Sequence, residues 1–85
     1  MTKVYGVITL RGLDGEPFYV LAGKGADLDR VSKAADKALA GDADALVELE
    51  GLITTVAGLR RPKSAAEEAA ACVAHIKTQL KLTTH

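Results

Sequence analysis

Residues 45–59, ALVELEGLITTVAGL, decide the fold, because their apolar positions fit two periods at once. On a helical wheel Ala45, Leu46, Leu49, Leu52, Ile53, Val56 and Leu59 make one continuous arc. Glu48, Glu50, Gly51, Thr54, Thr55 and Gly58 fall outside it, and only Val47 is out of place. Taken as strands, Val47 and Leu49 point inward and Glu48 and Glu50 outward, a turn falls at Gly51, and a second strand runs through Val56. The helical match spans the longer window and predicts a helix over about residues 44–59. Asp42 and Asp44, just ahead of it, suit a helix N-terminus through capping and through their charge against the macrodipole.

A preceding helix is expected over about residues 27–40, where Leu28, Val31, Ala35, Ala38 and Leu39 recur at helical spacing. Asp27 offers its N-cap once Gly23-Lys24-Gly25 has released the strand before it, and Gly41 offers its C-cap. On the other side, Pro62 stops the chain at Arg60-Arg61-Pro62-Lys63. Ser64-Ala65-Ala66-Glu67 then reads as a capping box opening a helix over about residues 64–81. Ala65, Ala69, Cys72, Val73, Ile76 and Leu80 line one side of this helix, and Leu82 to His85 are expected to fray.

The N-terminal segment reads as a β-hairpin, with strands at about 4–11 and 17–22 around Leu13-Asp14-Gly15-Glu16. A two-residue turn at Asp14-Gly15 pairs Leu10 with Tyr19 and Ile8 with Leu21 on one face. It puts Arg11 with Phe18, Thr9 with Val20 and Val7 with Ala22 on the other, and neither face is polar. The expected fold is α+β, a single domain over residues 1–85 with the hairpin packed on three helices. The alternative, ββαββα, follows if residues 45–59 are strands that complete the sheet.

Hydrophobic residues make up 48% of the 85 but aromatic ones only 4%, so the core must be built from Ala, Leu and Val, which bury little area each. A core of this kind is marginal in a chain this short, and self-association would relieve it. Eleven basic and eleven acidic residues cancel, which argues against a chain whose main task is to coat nucleic acid or an anionic membrane. The lone cysteine excludes an intrachain disulfide, no secretory signal opens the chain and no apolar run is long enough to span a membrane. A cytoplasmic location is expected.

Motifs with chemical potential each have a simpler structural account. Gly23-Lys24-Gly25 precedes a helix as phosphate-binding loops do, yet it matches neither a P-loop nor a dinucleotide fingerprint. Cys72 and His75 share one edge of the last helix with Glu68 and Gln79, but a metal needs about four ligands and the other histidine is His85. A nucleophilic thiol needs a polarising environment that helix interiors rarely supply. The acidic pairs are accounted for by capping. No catalytic, cofactor or metal site is therefore expected.

Function is expected to reside in surfaces. The second hairpin face, with Val7, Arg11, Phe18 and Val20 and with Phe18 as anchor, is the candidate interaction surface. It fits a non-enzymatic protein–protein interaction module, a small bacterial or phage accessory protein acting as a homodimer on a cytoplasmic partner. A nucleic-acid-binding accessory protein using Arg60, Arg61 and Lys63 is the alternative.

Overall fold

The computed structural model describes residues 5–83. Strands β1 (Tyr5–Arg11) and β2 (Pro17–Lys24) form an antiparallel hairpin, followed by helices α1 (Gly25–Leu39), α2 (Ala43–Gly58) and α3 (Ala65–Thr83). The expected first residue of the hairpin, Val4, and the terminal Thr84 and His85 lie outside the described residues.

Residues 45–59 are helical through Gly58, so the ββαββα alternative does not hold. Asp42 caps α2, its carboxylate accepting from the amides of Asp44 at 3.0 Å and Ala45 at 3.2 Å. Leu49 and Ile53, in the middle of the apolar arc, are fully buried, while Val47, the residue that broke the arc, is 74% exposed. Leu59 is the arc's one failure. With Pro62 close behind, the helix stops at Gly58, and Leu59, its C-cap residue, keeps helical backbone angles but is 71% exposed.

Helix α1 ends as expected in a Schellman motif. Gly41 takes a φ of 100°, and the amides of Gly41 and Asp42 return to the carbonyls of Ala38 and Lys37. Its start differs from expectation. β2 continues to Lys24, which is itself the N-cap residue and makes no side-chain cap, so no loop separates strand from helix. Asp27 lies inside the first turn and pairs with Arg30 at 3.4 Å. At α3 the capping box is also modified, because the Ser64 hydroxyl donates to Glu68 Oε2 at 2.8 Å.

The hairpin turn takes three residues, not two. Gly15 N–H donates to Gly12 O and Gly12 N–H to Glu16 O, both at 3.0 Å, with Gly15 at φ 80°. This is a tight turn closed by a left-handed residue, for which glycine is the natural choice. The longer loop moves the register by one residue, so Arg11 faces Pro17. A β-bulge then restores it. One extra residue in β2, Phe18, is accommodated between Pro17 and Tyr19, and from Leu10↔Tyr19 to Tyr5↔Lys24 the pairs are those of the simpler hairpin.

The inner face of the ribbon, with Ile8, Leu10, Tyr19 and Leu21, closes over the helices. Helix α2 packs between α1 and α3, and β2 touches all three helices, whereas β1 touches only α1. Gly6 and Gly23 face each other across the strands beside Leu28, and the missing side chain of Gly23 makes room for Val56. A Cβ on Gly23 would stand 2.9 Å from Val56 Cγ1. Gly23→Ala should therefore destabilise the protein by about 1–3 kcal/mol through overpacking. Gly51→Ala, at an exposed helical position with nothing within 4 Å, should stabilise it by about 0.5–1 kcal/mol. Urea unfolding of the two variants checks both signs.

Candidate functional site

The edge of α3 that carries Glu68, Cys72, His75 and Gln79 meets the distal half of the hairpin residue by residue. Tyr19 Oη donates to Glu68 Oε1 at 2.8 Å, the His75 ring stacks on Phe18 with centroids 4.5 Å apart, and Leu13 N–H donates to Gln79 Oε1 at 2.7 Å. Arg61, from the turn before α3, completes the network. Its Nε lies 2.9 Å from Glu68 Oε2 and its Nη2 donates to Oε1 at 3.0 Å. Phe18, Tyr19, Glu68, Ala71, Cys72 and His75 line a shallow cavity of about 330 Å³.

The electrostatics of this cleft follow from these contacts. Hydrogen bonds from Tyr19, Ser64 and Arg61 hold the Glu68 carboxyl below the usual carboxylate range. Burial, reinforced by the Glu68 hydrogen bond, pushes Tyr19 up to about 12. Burial and the Glu68 charge push the Cys72 thiol up to about 12 as well. Cys72 is thus a protonated thiol at neutral pH, the opposite of what an attacking sulfur requires. Among the described residues, no group of three or more His, Cys, Asp or Glu side chains could hold a metal ion.

The outer face of the hairpin is the other candidate. Val7 is 64% exposed, Tyr5 57% and Val20 55%, with Thr9 between them. Phe18 is not on this face. The bulge carries it to the helix side with Tyr19, where it is half-buried against His75, so the expected anchor belongs to the monomer's own packing. Arg11 is exposed, its guanidinium donating to Gly15 O at 3.0 Å. At the far end the patch turns a corner: Tyr5, Ala22, Lys24, Leu59 and Arg60 border a common cleft of about 250 Å³.

Of the expected basic cluster, Arg61 is committed to Glu68, while Arg60 and Lys63 stand exposed. Two participants escaped the sequence reading. Leu59 falls on the apolar arc by periodicity, but as the C-cap residue it lies past the turns of α2 that reach the core. Tyr19 was placed on the correct face without its partner Glu68, and nothing local in the sequence links two residues 49 apart.

Because Glu68 titrates lower in the folded state than its ordinary value of 4.5, its stabilisation is complete above that value and is lost as pH falls through the folded-state value. Glu68→Gln should be less stable than wild type at neutral pH, and the gap should narrow as pH falls below 4.5 in urea titrations. Cys72 should react with a thiol reagent only as fast as the chain opens, so that sub-denaturing urea accelerates labelling.

No protein-family model, no curated protein and no solved structure matches this chain.

Proposed function

We propose that this chain is a non-enzymatic protein–protein interaction module, an accessory protein of bacterial or phage type that acts as a homodimer on a cytoplasmic partner. The observation that carries this reading is the uncovered outer face of the hairpin. Tyr5, Val7 and Val20 are more than half exposed on a ribbon whose opposite face carries the core, and apolar patches held in solvent mark contact surfaces. Arg11, Lys24 and Arg60 flank the patch, which favours a partner with an apolar centre and acidic surroundings.

The cleft on α3 favours a binding role over a catalytic one. Its carboxylate is engaged by three donors and its thiol is kept protonated, so neither is poised as base or nucleophile. The nucleic-acid alternative loses part of its footing, since the Glu68 carboxylate neutralises Arg61.

The test is affinity capture from cells that express the protein, comparing wild type with Val20→Asp after circular dichroism has shown both to be folded. A specific protein should be retained by wild type and lost with Val20→Asp; equal capture by both would remove the outer face from the binding site. A salt titration against duplex and single-stranded DNA covers the alternative. Binding that falls steeply with salt would favour a nucleic-acid partner.

A further inference from the structure

We infer that the homodimer proposed above forms by antiparallel pairing of β1 with β1 of a second copy, which joins the two hairpins into a four-stranded sheet. The inference rests on the homodimer reading and adds its geometry. In a two-stranded sheet both strands are edges, but here the two edges are treated unequally. β2 begins at Pro17, is interrupted by the bulge at Phe18 and ends at Lys24, and proline, bulges and lysine are the usual devices that stop an edge from pairing. β1, YGVITLR, is seven residues long and has none of them. Among the described residues, β1 packs against only one helix, and no backbone group on its outer edge has a protein partner.

The orientation of that edge follows from the turn. Gly12 N–H bonds across to Glu16, so by the alternation of an antiparallel ladder Leu10, Ile8 and Gly6 also turn their amides to β2. Those of Val7 and Thr9 point outward. Pairing two β1 strands about a two-fold axis through Ile8 sets Val7 opposite Thr9 of the second copy. It also sets Tyr5 opposite Arg11 of the second copy, a cation over an aromatic ring. Arg11 is the strand's one charge, so no like charges meet.

The two-fold axis stands perpendicular to the sheet, which leaves both sets of helices on one side and both outer faces on the other. A strand of this length, about 23 Å, falls short by itself of the roughly 800 Å² per partner of a stable interface. The two α1 helices, which pack on β1 as well as on β2, lie on the same side of the joined sheet. The dimer is accordingly of micromolar rather than nanomolar strength.

Sedimentation equilibrium of the full chain tests the geometry with Thr9→Pro, Thr9→Val and Val20→Asp. Thr9→Pro deletes an outward amide and should weaken the dimer by about tenfold or more, whereas Thr9→Val and Val20→Asp should leave it intact. Amide exchange on wild type covers misfolding of the proline variant: protection at Val7 and Thr9 should grow with protein concentration. A dimer that survives Thr9→Pro, or exchange at Val7 and Thr9 that ignores concentration while the protein dimerises, overturns the edge pairing and leaves the homodimer reading standing. A wild-type monomer at hundreds of micromolar overturns both.

Discussion

The extra residue in β2 is the constraint on which the rest of the structure depends. The three-residue turn alone would pair Leu10 with Phe18 and Ile8 with Val20, and a slip of one residue moves a strand's side chains to the opposite face. Leu21, one of the most deeply buried residues in the protein, would then share a face with Val7 and lie away from Ile8 and Leu10. The bulge at Phe18 cancels the slip. It also concentrates aromatic surface, since Phe18 and Tyr19, consecutive in a strand, both reach α3.

That concentration gives the one chemically suggestive edge of α3 a structural task. A ribbon of two strands has little stability of its own, so its distal half must be held by something. Glu68, His75 and Gln79 hold it at three points with three kinds of contact: a charge-assisted hydrogen bond, a ring stack and a bond to backbone. Cys72 fills the gap between them as a small apolar group. Arg61 neutralises the carboxylate that this arrangement brings to the seam, which removes one cation from the basic turn.

Much of this fold was legible in the sequence because its helices obey local rules. The arc in residues 45–59, Asp42 as a cap and Gly41 as a stop each act within a few residues, and apart from Leu59 the structure carries them as read. The strand pairs were also legible, though for an incomplete reason. A two-residue turn without a bulge and a three-residue turn with one bring the same residues opposite each other from Leu10↔Tyr19 outward. The difference appears only at Phe18, and there the sequence reading put the anchor on the wrong face. Backbone hydrogen bonding decides that point, and Asp14-Gly15 is compatible with either turn. Of the candidate surface, Val7, Arg11 and Val20 were legible from alternation, while Leu59 depended on where a helix stops.

A core in which seven of eighteen buried residues, among those described, are alanine lets helices approach closely and holds its large aliphatic side chains in the remaining positions. Tyr5, Val7, Val20 and Leu59 stand out against it as large apolar side chains held in solvent, beside a core that has no room for even a Cβ at Gly23. Gly23 flattens the inner face so that Val56 can seat the ribbon low on the helices. A ribbon seated low presents its outer face without obstruction, and it leaves β1 at the margin with its edge open. The packing that stabilises the monomer and the surface available for association are therefore the two sides of one hairpin: small residues facing inward at the open end of the ribbon, large ones facing outward.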